Sequence, residues 1–135
     1  MPASLAPLLA LAGHCFAADF SPGTVDRHCF SAVYGGHHVR DVHAVTKGDH
    51  TLYAGESLYS IDGGTVAFTY WSTIGGIGRG TATFAPGDWT FNLAMRASPT
   101  AASQSVATHW RWHGADTYVV SGGPAPVTYR RSPGP

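Results

Sequence analysis

The chain has 135 residues, enough for one domain with a hydrophobic core and too few for two ordinary ones. Eight basic residues balance eight acidic ones, charged residues make up only 12%, and Lys47 is the sole lysine, so the cationic footprint of a nucleic-acid binder is excluded. Seventeen glycines and nine prolines argue against a helical chain and for an all-β one rich in turns.

The N-terminus opens with an apolar run, Leu5 to Ala12, that ends in an A-x-A form but has no Lys or Arg before it. Residues 1–12 are read as an apolar lead-in or a degenerate signal segment, and a short helical or extended lead-in is preferred. The single barrel domain is assigned to residues 13–135. No stretch is long enough to span a membrane as a helix.

From residue 14 onward, period-two alternation bounded by Gly, Pro, Asp or Ser recurs along the whole chain and predicts about ten strands. They fall at 14–20, 24–34, 37–46, 51–61, 64–74, 79–85, 89–96, 104–113, 117–121 and 126–131. Sequential antiparallel strands expose two edges unless the sheet closes, so the expected fold is an all-β, antiparallel up-and-down barrel, with a β-sandwich as the alternative.

Turn lengths set the register, and the register sets which side chains share a face. A three-residue loop at Ser21-Pro22-Gly23 places Cys15 opposite Cys29, close enough for a cross-strand disulfide, and Phe20 opposite Thr24. Phe16, Ala18 and Phe20 then face inward, together with Asp26, His28, Phe30, Ala32 and Tyr34 of the second strand. A Gly35-Gly36 turn sets His43 opposite His28 and Asp41 opposite Phe30. An Asp62-Gly63 turn pairs Tyr59 with Val66, Ser57 with Phe68 and Gly55 with Tyr70, with Gly55 leaving room for the Tyr70 ring. Between these hairpins a three-residue loop within 47–50 is expected, because it sets Arg40 against Glu56 on the outside and avoids facing Asp41 with Glu56. The glycine-rich stretch 74–80 lacks the Lys-Ser/Thr of a phosphate loop and reads as a hairpin turn. On the eighth strand Val106, Thr108, Trp110 and Trp112 are expected to point inward.

The residues that concentrate chemistry lie in 24–46, which holds four of the eight histidines. His28, His43 and Asp41 form an expected interior polar cluster, with Asp26, Tyr53 and Tyr70 nearby. Two imidazoles and a carboxylate suit a divalent metal held by His28 and His43, or haem on one histidine. The competing reading is a satisfied polar core in which Asp41 fixes a tautomer of His43. No catalytic residue is assigned.

LAGHCF, DRHCF, VRDVH, LYAGESLYSID and YWSTIGG, spread over residues 11–76, resemble an uncharacterised bacterial family of lipocalin-like (calycin) β-barrel proteins. The resemblance extends over nearly the whole chain. Gly13 before Phe16 is similar to the Gly-x-Trp opening of lipocalins, with Phe for Trp and one extra residue of spacing, and Arg130 is expected to pack across it. The broader group includes carriers of small apolar molecules and nitrobindins, which hold haem through a histidine. The resemblance implies a barrel with a ligand cavity.

The resulting expectation is a barrel that binds a small apolar or aromatic ligand among His28, Phe30, Asp41, His43, Tyr53, Phe68 and Tyr70. Haem or a divalent metal is the alternative cofactor. A second alternative is a lipocalin-like acid-base enzyme for a small aromatic acid, using Tyr53, Tyr59, Tyr70, Arg40 and Glu56. A Cys15–Cys29 bond would place the domain outside the cytoplasm, periplasmic or secreted. Outward Trp71 and Leu58 mark a candidate homodimer face.

Overall fold

The computed structural model describes residues 3–134. They form one short helix, α1 (Ala6–Leu9), and ten strands. In chain order these are β1 (Cys15–Ser21), β2 (Thr24–Val33), β3 (His38–Lys47), β4 (His50–Asp62) and β5 (Thr65–Ser72), then β6 (Ile77–Ala85), β7 (Asp88–Arg96), β8 (Gln104–Trp112), β9 (Thr117–Ser121) and β10 (Val127–Ser132). Each strand pairs antiparallel with its neighbours in sequence, and β1 closes on β10 through Cys15–Ser132, Phe16–Arg131 and Ala17–Arg130. The fold is a closed antiparallel barrel, and closure removes the two edges an open meander would leave.

Alternation along each strand then sorts the side chains. On β8, Trp110 is buried and Trp112 half-buried, whereas His109 and Arg111 are exposed. Rings fill most of the interior: Phe16, Phe30, Tyr59, Phe68, Trp89, Phe91, Trp110, Tyr118 and Tyr129 are all buried. Tyr129, Tyr118 and Trp110 stack in series, with centroids 5.0 and 4.5 Å apart. A barrel wider than eight strands needs such large side chains to reach native packing density.

One end of the barrel is sealed by α1 and its flanks. Leu5, Leu8 and Leu11 recur every third residue, share one side of the helical turn, and join the core cluster. Pro7 suits the first turn, where its missing N–H has no partner to lose. Among the described residues no helix is long and apolar enough to cross a membrane.

Two hairpins differ from the sequence expectation in the same way. Between β1 and β2 the turn is Pro22-Gly23, with Ser21 opposite Thr24, and Phe20 is a bulged extra residue. Between β3 and β4 the turn is Gly48-Asp49, with Lys47 opposite His50, and Leu52 is the bulge. Each two-residue turn plus one bulge keeps the parity of the expected three-residue loop, so the inward and outward sets survive. Cys15 does face Cys29, and the two form a disulfide. Arg40 lies opposite Leu58 rather than Glu56, yet still reaches the Glu56 carboxylate at 3.0 Å on the outside. Phe20, expected inside, is 45% exposed because the bulge turns it out.

The β4–β5 turn is Gly63-Gly64, not Asp62-Gly63, so Ile61 faces Val66, Tyr59 faces Phe68 and Ser57 faces Tyr70. Both central residues have positive φ, +59° and +82°, which a glycine pair adopts without the Cβ penalty that Asp62 would incur. The two-residue slip preserves the faces, and Gly55 still makes room for Tyr70: a Cβ there would lie 2.6 Å from the tyrosine oxygen. The β2–β3 turn spans 34–37, and Ala32 and Tyr34, expected inside, are exposed because this hairpin tip runs beyond the core. Arg131, and not Arg130, lies over the Phe16 ring, 5.7 Å from its centroid, since closure pairs Arg131 with Phe16 and turns Arg130 outward.

Leu8→Ala should lower the unfolding free energy by about 2–5 kcal/mol in chemical denaturation, the cost of a cavity at a fully buried leucine. Replacing both cysteines by alanine removes a crosslink of sequence separation 14 and should cost about 3 kcal/mol, with peptide mapping of the oxidised protein recovering the Cys15–Cys29 pair.

Candidate functional site

β2 and β3 bring His28 and His43 opposite each other on the inner face, with Asp26 and Asp41 also inward. His28 Nδ1 donates to both Asp41 oxygens, at 2.8 and 3.0 Å, and its Nε2 donates to Asp26 Oδ2 at 2.8 Å. A neutral imidazole has one N–H, so a ring with a carboxylate on each nitrogen is an imidazolium. His43 Nδ1 donates to Asp26 Oδ1 at 2.9 Å, which leaves Nε2 to accept from the Tyr70 hydroxyl at 2.7 Å. Tyr129 on β10 donates to Asp26 Oδ2 at 2.7 Å. Asp26 is thus the shared acceptor of three side chains from three strands.

The electrostatics follow from these contacts. Burial by itself opposes a charged His28, but the charges and hydrogen bonds of Asp41 and Asp26 outweigh it and raise its pKa to about 10. Burial likewise opposes a charged Asp26, yet the bonds from His28, His43 and Tyr129 hold its carboxyl well below the usual range. Burial, with Tyr53 and the two aspartates nearby, pushes Tyr70 up to about 12, so it serves as a phenol donor.

Beside this cluster lies an interior cavity of about 190 Å³. His28, Asp41, His43 and Tyr70 contribute polar groups to its lining, and Phe68, Phe91 and Trp110 contribute aromatic rings. The aromatic floor is buried, whereas Tyr70, Leu93 and Met95 are half-buried, so access is from the end opposite α1. β6 gives room to the side chains of this lining: Gly80 pairs with Phe68 and Gly78 with Tyr70. A Cβ on Gly80 would lie 2.8 Å from the Phe68 ring, and one on Gly78 2.6 Å from Leu93. A larger concavity, about 590 Å³, lies outside the barrel against the outer faces of β2 and β3 and is lined by Val25, Val42 and Ala44. We place the site at the interior cavity, because that is where the buried polar groups converge.

Of the residues expected from sequence to bind a ligand, His28, Asp41, His43, Phe68 and Tyr70 line the cavity. Phe30 packs instead between Phe16 and Trp110 in the core, and Tyr53 sits half-buried, its ring roughly perpendicular to that of His43 with centroids 5.8 Å apart. Tyr129 and Phe91 were not singled out by sequence, and Trp110 was expected to point inward but not to line the ligand space. The signal for Tyr129 was the inward alternation Val127–Tyr129 in the last strand, and it acquires meaning only once that strand meets the first.

Asp26, His28 and His43 offer three donor atoms within 4.8 Å of one another. The histidine rings are nevertheless stacked, 4.7 Å apart and 16° from parallel. An imidazole nitrogen ligates along a lone pair in its ring plane, and two nearly parallel planes do not converge on one ion. The three residues as arranged do not fit a shared metal. Haem does not fit either, since even drug-sized ligands take pockets of about 300–1,000 Å³.

No family model, curated protein or solved structure matches this chain.

The sign of the pH dependence is set by His28 and Asp26. His28 ordinarily titrates at 6.5, so the stability it contributes is complete below that pH and is lost as pH rises through about 10. Asp26 ordinarily titrates at 3.8, so its contribution is complete above that pH and is lost as pH falls. Thermal unfolding should therefore show the highest Tm between these two ordinary values and a decline from pH 7 to 10. His28→Gln should flatten the alkaline decline and cost about 3–5 kcal/mol at pH 6, because it leaves buried carboxylates uncompensated.

Proposed function

We propose that the protein binds a small ligand with a single aromatic ring inside the barrel. The observation that carries this reading is the cavity of about 190 Å³ lined by both hydrogen-bonding groups and aromatic rings. A cavity of about 150 Å³ lined by apolar groups is large enough for benzene. A few fixed polar groups set against aromatic walls are the usual make-up of a small-molecule site. The lipocalin-like resemblance supports the same reading, since it implies a ligand cavity, and the Arg131–Phe16 contact is of the kind it leads one to expect.

The enzyme reading has less behind it. Its arginine and glutamate, Arg40 and Glu56, pair with each other outside the barrel, away from Tyr59 and Tyr70. The disulfide favours a compartment where thiols stay oxidised, and we place the folded domain outside the cytoplasm on that ground.

Trp110 lines the cavity and reports on its contents. Titration with single-ring aromatics should change tryptophan fluorescence saturably, while Leu93→Trp, which fills the cavity, should abolish the binding measured by calorimetry. A flat calorimetric response to a broad panel of such compounds would count decisively against the proposal.

A further inference from the structure

Three features compete for a further role: the outer groove on β2 and β3, the exposed Trp71 and Ile77 on the outer sheet, and the unfilled acceptor capacity of the interior cluster. Nothing in the structure indicates what would cover the first two. The third has a definite chemistry.

The polar wall does not balance its own charge. Asp26 and Asp41 are two buried carboxylates, and His28, donating from both nitrogens, is one imidazolium. Taking the Tyr70 hydroxyl as the donor to Nε2, His43 is the tautomer that donates from Nδ1 to Asp26 and adds no charge. One negative charge is left over in a site shielded from water, where an uncompensated charge is costly. The surplus sits on Asp41. Asp26 already accepts from His28, His43 and Tyr129, whereas both Asp41 oxygens meet only His28 Nδ1, and no other side-chain hydrogen bond reaches Asp41 among the described residues. A carboxylate accepts at about four positions, so Asp41, which lines the cavity, has acceptor capacity facing the ligand space.

The remaining walls agree with a cationic occupant. No Lys or Arg lines the cavity among the described residues, and both N–H groups of His28 are committed to carboxylates. A carboxylate ligand would find no free positive partner. Phe68, Phe91 and Trp110 line the same cavity with aromatic rings, a residue type that attracts an ammonium and stacks with a ring.

Building on the cavity reading above, we infer that the site selects small protonated amines carrying one aromatic ring, with the ammonium on Asp41, and rejects carboxylates of the same shape. A charged hydrogen bond of this kind is worth roughly tenfold or more in affinity. The test is calorimetric titration at pH 7 with benzylamine, benzyl alcohol and benzoate, which share a ring and differ in charge. Benzylamine should bind at least about tenfold more tightly than benzyl alcohol, and benzoate should not bind at millimolar concentration. In Asp41→Asn the amine should lose that advantage while the alcohol changes little. Benzyl alcohol or benzoate binding as tightly as benzylamine would overturn the charge selectivity and leave the cavity reading standing. Failure of all three to bind would overturn the cavity reading and the selectivity with it. If Asp41→Asn does not fold, the order of the three ligands on the unsubstituted protein decides the matter alone.

Discussion

His28 clamped between Asp26 and Asp41 is the contact around which the inner face of this barrel is arranged. A histidine donating from both nitrogens must stay charged, and a charged ring in a barrel interior persists only while both carboxylates stay ionised beside it. Each partner therefore depends on the others. Asp26 extends the network to His43 and to Tyr129, so β2, β3 and β10 are tied by side chains as well as by the sheet ladder. Tyr129 in turn stacks on Tyr118 and Tyr118 on Trp110, which joins the polar cluster to the aromatic wall without a gap in packing.

That arrangement divides the barrel interior into two levels. Below, α1 and the rings around Phe16 and Phe30 form an ordinary apolar core. Above it, Gly78 and Gly80 withhold side chains, which lets Phe68 and Leu93, two of the residues that line the cavity, pack close against β6. A fully satisfied polar core needs no cavity beside it. The coexistence of an interior cavity, aromatic lining and a carboxylate with unfilled acceptor positions is what directs the reading toward a ligand.

Much of this is legible in the sequence, because hairpin parity depends on turn chemistry that is local. The facing of Cys15 with Cys29 and of His28 with His43 follows from turns rich in Gly and Pro, and both hold. The bulges at Phe20 and Leu52 were not legible, since a bulge answers to the coiling of the closed sheet and leaves no residue signature in either strand. Parity survived them, which is why the inward set was largely right while individual pairs were off by two. The Gly63-Gly64 turn was misplaced because Asp-Gly and Gly-Gly are both good turn pairs and only the backbone angles separate them. The role of Tyr129 was out of reach. It stands 103 residues from Asp26 in the chain and meets it only when β1 and β10 close the barrel.

The charge on His28 is the claim on which the rest turns, and nitrogen-15 NMR of the imidazole rings reads it directly. With the protein at pH 8, well above the ordinary histidine value of 6.5, both His28 ring nitrogens should retain the shifts of a protonated imidazolium and persist to about pH 10. A His28 ring showing one protonated and one bare nitrogen at pH 8 would contradict the account, since a neutral ring cannot donate to both carboxylates.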